Sequence, residues 1–192
     1  MALEKSSFSS GERGFSLVEV LVASSILTVG VLSLAQLFVL STTSNTSAKS
    51  TTYATVIAEQ KIEELRGLTW GFDSSGLPLT DTTSDTASTT DATTGGTGLT
   101  PSPPTALQEN TTGYVDYVDM FGNKLGGGTS VPAAAVFTRR WSVEPLPTNP
   151  NNTLIIQVLA TRLRNRGQGD QGSVARLPEE ARVITVKTRK AQ

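Results

Sequence analysis

The sequence predicts an α+β fold, in which one long N-terminal helix packs with its second half on a small antiparallel sheet. Three observations predict it. An apolar run of 26 residues extends from Phe15 to Leu40, a helical repeat follows as far as Arg66, and strand-like segments begin only after Gly113. Because the helix comes first and the strands follow one another, a helix packed on a sheet of sequential strands is favoured over alternating strands and helices.

The apolar run predicts a membrane-spanning helix with one unusual feature, the carboxylate of Glu19. A helix of this length spans roughly 39 Å, which exceeds a hydrocarbon core of about 30 Å. A cleaved secretory signal has a shorter apolar core, so a spanning helix is the better interpretation. Lys5 and Arg13 favour a cytoplasmic N-terminus. A plain membrane anchor leaves Glu19 unexplained, since a carboxylate inside the bilayer costs a few kcal/mol.

The second half of the helix is predicted from the stretch "YATVIAEQKIEELRG". Five apolar residues recur on one helical face: Ala54, Ile57, Ala58, Ile62 and Leu65. Glu59, Glu63 and Arg66 lie opposite, and Gly67 is a suitable C-terminal stop. We therefore expect a helix over residues 15–66, with its transmembrane part at 15–40.

The rest of the chain is predicted to form a loop and then a sheet. Residues 67–113 are rich in Ser, Thr, Gly and Pro, which favours a variable surface loop with little apolar surface to bury. Residues 114–192 contain four strand patterns and form the expected antiparallel head. In the last strand we expect Ile184 and Val186 to face the helix, with Lys187 and Arg189 in solvent. Trp70, Phe137 and Trp141 are expected in the core.

The composition excludes several kinds of covalent bond, metal site and active site. The chain has no Cys and no His, which excludes disulfides, Cys/His zinc sites and His-dependent catalysis. No nucleophile–base pair, phosphate loop or metal cluster is recognisable, so we expect no enzyme, no cofactor and no metal. Residues 139–192 carry ten basic residues against four acidic ones. A DNA or surface ligand for this basic third is an alternative that no motif supports.

Residues 14–19, "GFSLVE", resemble the processing site of type IV pilins and type II secretion pseudopilins. The resemblance implies that a prepilin peptidase cuts between Gly14 and Phe15, removes the cytoplasmic leader 1–14, and N-methylates Phe15. Glu19 then becomes the fifth residue of the mature chain, where the family keeps a glutamate. The longer stretch from Gly14 to Leu37 followed by "AEQKIEELR" looks most like PilV-type minor pilins and the related minor pseudopilin I. Major pilins commonly have a proline where this chain has Gln36.

The resemblance also implies a function. The chain would be a minor structural subunit of a type IV pilus, inserted into or at the tip of the filament to help initiate or modify assembly. Alternatives are a type II secretion minor pseudopilin, or a bitopic membrane protein that displays a binding head and never polymerises. The implied partners are other pilin or pseudopilin subunits, met through the N-terminal helix and Glu19, the prepilin peptidase, and the inner-membrane assembly platform. The implied location is the inner membrane in a single pass with an extracytoplasmic head, and then a filament.

Overall fold

The computed structural model describes residues 14–90, 94–163 and 180–189 of the chain. In this part of the chain a single helix, α1, spans Leu17–Gly67. The strands that follow are β1 (Trp70–Phe72), β2 (Pro78–Thr80), β3 (Val115–Val118), β4 (Lys124–Gly127), β5 (Phe137–Pro145), β6 (Thr153–Arg162) and β7 (Glu180–Thr188). The predicted α+β class, with one long helix and an antiparallel sheet, is confirmed. The chain divides into two compact units, Met1–Asn45 and Thr46–Gln192, and α1 contributes to both.

The first unit consists of the N-terminal part of α1, and all of its described residues are exposed. Its hydroxyl groups bond back to the helix itself: Thr28 Oγ1 donates to the Ser24 carbonyl at 2.7 Å, and Ser33 Oγ donates to the Val29 carbonyl at 2.8 Å. These bonds satisfy the hydroxyls without an outside partner, so they reduce the cost of placing them in lipid. Among the described residues, α1 is the one helix long and apolar enough to cross a membrane.

The second unit packs the C-terminal part of α1 on a five-stranded antiparallel sheet. The strand order is β4-β3-β5-β6-β7, and every neighbouring pair is antiparallel. The predicted apolar stripe of α1 is confirmed, because its five residues are all buried: Ala54, Ile57, Ala58, Ile62 and Leu65. Phe137 and Trp141 on β5 and Trp70 on β1 are also buried, as the sequence predicts.

The segment after the helix is more structured than the sequence predicts. β1 and β2 form a two-stranded antiparallel sheet in which Trp70 pairs with Thr80. Further along, Leu99 and Ala106 are almost fully buried and belong to the main core. The expectation of a surface loop with little apolar surface to bury is therefore wrong for this segment. Short-range turns replace regular structure there, as where Asp81 Oδ1 accepts hydrogen bonds from the backbone N–H groups of Thr83 and Ser84.

The expected orientation of β7 is also wrong. Ile184 and Val186 are 57% and 59% exposed, whereas Ala181 is buried. The reason is register: Ala181 pairs with Ala160 of β6, which belongs to the core, and residues opposite each other share a face of the sheet. Because side chains alternate along a strand, a phase error of one residue exchanges the two faces.

The two basic residues at the end of β7 are also in contact with the protein. Lys187 Nζ donates to the Arg66 carbonyl in the last turn of α1. The guanidinium of Arg189 lies 3.6 Å from the centre of the Trp70 ring, and its Nη1 donates to the carbonyls of Gly71 and Leu79. Both residues were expected in solvent, so this expectation is wrong too. Their contacts tie the end of the last strand to the helix terminus and to the β1–β2 hairpin.

Candidate functional site

The first candidate site is the start of α1, where the chain enters the helix at Leu17. Gly14, Phe15 and Ser16 precede it without regular structure, and the Ser16 carbonyl accepts a hydrogen bond from the N–H of Val20 at 3.2 Å. Phe15 is 83% exposed, and a Cβ added to Gly14 would have no neighbour within 4 Å. Among the described residues nothing covers the peptide bond between Gly14 and Phe15, and this bond lies outside the helical hydrogen-bond ladder. Backbone in this state can enter a protease active site without unwinding of the helix.

Glu19 lies in the first turn of α1 and is exposed. Its position near the helix N-terminus is favourable for a negative charge, because the helix dipole is positive there. The other helical residues from Leu17 to Leu40 are all uncharged. No ion pair joins Glu19 to another residue in the part of the chain that the structure describes. The structure brings Gly14, Phe15 and Glu19 together within one short segment, while residues 1–13 of the expected leader lie outside the described residues.

A second charged cluster, which the sequence did not lead us to expect, lies between α1 and the sheet. Lys61 on α1 is fully buried, and its Nζ lies 3.1 Å from Oδ2 of Asp116 on β3. Arg139 on β5 donates from Nε and Nη2 to the two carboxylate oxygens of Asp116, each at 2.7 Å. A bidentate pair of this kind is among the strongest hydrogen-bonded arrangements of charged side chains. We call Lys61, Asp116 and Arg139 the buried ionic cluster.

Lys61 and Arg139 make further contacts beyond Asp116. Lys61 Nζ donates to the Thr86 carbonyl at 2.5 Å, contacts Glu64 Oε2 at 3.3 Å, and lies 4.0 Å above the centre of the Trp141 ring. Arg139 Nη1 donates to the Ile57 carbonyl at 3.2 Å, so it also contacts the helix backbone. The cluster therefore joins α1 to β3 and β5 through a closed set of contacts. This arrangement suits a structural tie between the helix and the sheet.

The electrostatics of the cluster follow from burial and mutual attraction. Burial by itself would raise the pKa of the Asp116 carboxyl, but the charges of Lys61 and Arg139 and their hydrogen bonds outweigh it and hold that pKa below its usual value. Burial lowers the pKa of Lys61, and the neighbouring carboxylates of Asp116 and Glu64 oppose the change. The sequence does contain a signal for the burial of Lys61. This residue follows Ile57 by four positions and precedes Leu65 by four, which places it in the middle of the buried stripe.

Comparison with known proteins gives one match, and it covers the first site. Residues 9–35 match the family model described as the prokaryotic N-terminal methylation motif. No curated protein and no solved structure matches the chain. The matched residues include Gly14, Phe15 and Glu19 and the first 19 residues of the apolar helix. A methylation motif at the start of a long helix whose apolar N-terminal part is exposed supports a type IV pilin-like family for this chain.

Proposed function

We propose that the chain is a minor structural subunit of a type IV pilus, inserted into the filament or at its tip to help initiate or modify assembly. The observation that carries this proposal is the N-terminal methylation motif on an apolar helix segment that is exposed among the described residues. Such a segment needs either lipid or other apolar helices around it. A filament subunit meets both surroundings in turn, first in the membrane and then in the helical bundle of the filament.

The first step proposed is processing by prepilin peptidase between Gly14 and Phe15. The accessible, non-helical backbone at this bond supports it. Cleavage leaves a new α-amino group on Phe15, and N-methylation of that group keeps an amine that can bind a proton. The mature helix would then begin with a cation and carry a carboxylate, Glu19, about one turn further on.

The second step proposed is docking, in which the amine of one subunit's Phe15 meets Glu19 of its neighbour. An isolated charge is costly among apolar helices, and a close pair of opposite charges removes much of that cost. The absence of an ion-pair partner for Glu19 among the described residues of its own chain supports a partner from another subunit. Glu19 thereby fixes the axial position at which an incoming subunit is accepted.

The proposed location follows from the same features. Before assembly the subunit spans the inner membrane once with its head on the extracytoplasmic side, and afterwards it belongs to a filament. Its partners are the prepilin peptidase, the inner-membrane assembly platform, and other pilin or pseudopilin subunits. Neither a cofactor nor a metal takes part in this role, and proteins with this motif are structural subunits rather than enzymes.

The same motif also fits a type II secretion minor pseudopilin, which is the second candidate. One feature favours the minor pilin over the pseudopilin: the segment between the helix and the main sheet is long and contains its own β1–β2 hairpin. Gln36, at the position where major pilins commonly have proline, favours a minor over a major component. Without that proline α1 keeps its backbone hydrogen bonds at this position, which suits a subunit that need not unwind there.

The decisive experiment compares the mature protein with a processing variant. In sheared filaments we expect a chain that begins with N-methylated Phe15, detected by mass spectrometry of the N-terminal peptide. Gly14→Val should leave a membrane-held precursor, because a branched side chain at this position should not fit a peptidase site shaped for glycine. Gly30→Ala is the matched control, since Gly30 also has no neighbour within 4 Å of an added Cβ but lies beyond the cleavage site. Normal cleavage of Gly14→Val would contradict the proposal.

A further inference from the structure

The same five-residue turn occurs twice in the head, at residues 73–77 and 119–123. In each turn the first residue is an aspartate whose Oδ1 accepts hydrogen bonds from the N–H groups two and four positions later, at 2.8–2.9 Å. A glycine with positive φ takes the fourth position, Gly76 at 76° and Gly122 at 89°. The N–H of this glycine donates to the carbonyl of the aspartate, whose own N–H donates to the carbonyl of the fifth residue. The two turns therefore share one hydrogen-bonding pattern.

The two turns differ at their second and third positions. Ser74 and Ser75 occupy these positions in the first turn, as expected for a solvated loop. In the second turn the same positions hold Met120 and Phe121, whose side chains are 64% and 78% exposed; we call this pair the apolar turn tip. Because serine is accepted at both positions of the first turn, the backbone does not require two large apolar side chains. Adjacent exposed methionine and aromatic side chains on a well-bonded turn are typical of a contact with another molecule.

The apolar turn tip lies at the end of the head where α1 enters. Val118, the residue before this turn, pairs with Phe137, and the ring of Phe137 lies 5.2 Å from that of Tyr53 on α1. A Cβ added to Gly122 would lie 3.2 Å from the hydroxyl of Tyr53, so the turn packs directly on the helix. The turn belongs to the stretch 94–163, which is described without a gap, and β5 separates its strands, β3 and β4, from β6 and β7.

The charged groups around the tip leave its two side chains apolar. Oδ2 of Asp119 accepts a further hydrogen bond within the turn, at 2.8 Å, so this carboxylate is bonded through both oxygens. Lys124 forms an ion pair with Glu64 Oε1 at 2.5 Å. Lys49 and Arg162 add positive charge at the same end of the head. The tip itself thus suits an apolar partner, and the exposed Lys49 is a separate group whose contribution a variant can test.

We propose that the apolar turn tip docks on the apolar N-terminal helix of an adjacent subunit in the filament. Each subunit of the proposed kind brings such a helix, and in this chain Glu19 is the one charged residue between Phe15 and Leu40. Helices packed side by side in one direction enter their heads at the same end, so neighbouring apolar helices lie at the end that carries the tip. Contact there removes apolar surface of both partners from water. This inference rests on the proposed function, because it names a head contact of the assembled subunit.

The first measurement compares the tip in the isolated subunit and in the filament. Because the chain contains no cysteine, Met120→Cys gives a single reactive thiol and keeps Phe121. We expect this thiol to react with a maleimide in the detergent-solubilised subunit and to be protected in filaments. Leu77→Cys, at an exposed position of the other turn, should react in both. No reaction at position 120 in the isolated subunit, or equal reaction in both states, would overturn the proposal.

The partner is identified by photocrosslinking in sheared filaments, with p-benzoyl-phenylalanine in place of Phe121. We expect an adduct with the N-terminal peptide of another subunit, the one that contains its apolar helix, identified by mass spectrometry. An adduct with a head peptide of another subunit, an adduct with lipid alone, or no adduct would contradict the proposed docking.

The contribution of the tip is measured with Met120→Ser combined with Phe121→Ser, which copies the first turn. Since that turn accepts serine at both positions, the unfolding midpoint, followed by tryptophan fluorescence, should not change. We expect incorporation into sheared filaments to fall by about tenfold, the change that about 1.4 kcal/mol produces. Leu77→Ser, the matched substitution at the other turn, should keep wild-type incorporation. Unchanged incorporation of the double variant would refute the docking.

Two further arms separate the possible causes of failure. Lys49→Ala should keep wild-type incorporation, and a loss equal to that of the double variant would indicate an acidic partner and overturn the proposal. The N-terminus of the chain is sequenced in the same samples. A mature Phe15 in filaments with a still reactive thiol at position 120 would reject the docking surface alone, whereas an unprocessed chain would reject the proposed function.

Discussion

Helix α1 carries two charged residues, Lys61 and Glu19, at positions where a charge is costly, and their surroundings differ. Lys61, in the part of α1 that belongs to the head, is fully buried and has Asp116, Glu64 and the Trp141 ring as neighbours. Glu19, in the apolar part, is exposed and has no ion-pair partner among the described residues. Both would be unfavourable as isolated charges in an apolar medium.

The two parts of α1 therefore differ in the origin of the opposite charge that offsets the cost of burying a charge. The partners of Lys61 belong to the same chain, so its ion pairs form when one molecule folds. For Glu19 we propose a partner from a second molecule, so that its ion pair forms only on assembly. Removing the partner of a charge that folding neutralises should destabilise the head, whereas removing the partner of a charge that assembly neutralises should impair the choice of neighbour. Variants of the two regions should therefore fail in different assays.

The largest effect on head stability is expected from Asp116→Asn. The variant removes the negative charge between Lys61 and Arg139 and leaves two buried cations facing each other, which should lower the free energy of unfolding by about 3–5 kcal/mol. The measurement is denaturant unfolding of the full chain in detergent, followed by the fluorescence of Trp70 and Trp141. Lys61→Met is the matched companion: it keeps the Asp116–Arg139 pair, so its loss should be smaller, about 1–2 kcal/mol. Equal stability of Asp116→Asn and wild type would show that the cluster does not tie α1 to the sheet.

A smaller effect is expected from acidification. Because the pKa of Asp116 is lowered in the folded head, the unfolded chain binds its proton first as the pH falls. Its stabilisation is therefore present above the ordinary carboxyl value of about 3.9 and is lost as the pH falls below it toward the lowered folded pKa. The test compares unfolding free energies of wild type and Asp116→Asn from neutral pH downward. The difference in unfolding free energy between the two proteins should shrink in acid, because only wild type loses the stabilisation by Asp116. Asp81 and Asp119 also have lowered pKa values, but they are present in both proteins and cancel in this difference.

The smallest effect on the head is expected from Glu19→Val. Its unfolding free energy should stay within about 0.5 kcal/mol of wild type, since Glu19 is exposed. Incorporation into sheared filaments should nevertheless fall, because the incoming amine of Phe15 would lack its carboxylate. Glu19→Asp, which keeps the charge on a side chain shorter by one methylene, should be intermediate, and Glu59→Ala is the control for an exposed acid elsewhere on α1. Equal incorporation of the valine variant and wild type would refute the pairing.

The sequence was sufficient for the helix and for the longer strands, because their signals are local. The apolar run, the stripe from Ala54 to Leu65 and the stop at Gly67 predict a helix close to the observed Leu17–Gly67. The strand patterns in the C-terminal part of the sequence predict β5, β6 and β7 in order. The candidate site at Gly14, Phe15 and Glu19 was also readable from the sequence, since its six-residue motif and the apolar run lie side by side, and the family match at residues 9–35 covers it.

The tertiary structure decided the features that depend on distant partners. The sequence places Lys61 within the apolar stripe of α1, but only the fold brings its partner Asp116, 55 positions later in the chain, against it, together with Arg139, which binds the same carboxylate. Leu99 is likewise buried in a core that is formed mainly by residues far from it in the sequence. The orientation of β7 depends on its pairing with β6, where Ala181 lies opposite Ala160. A strand pattern gives the alternation of side chains, but only the register with the neighbouring strand decides which set faces the core and leaves Ile184 and Val186 outside.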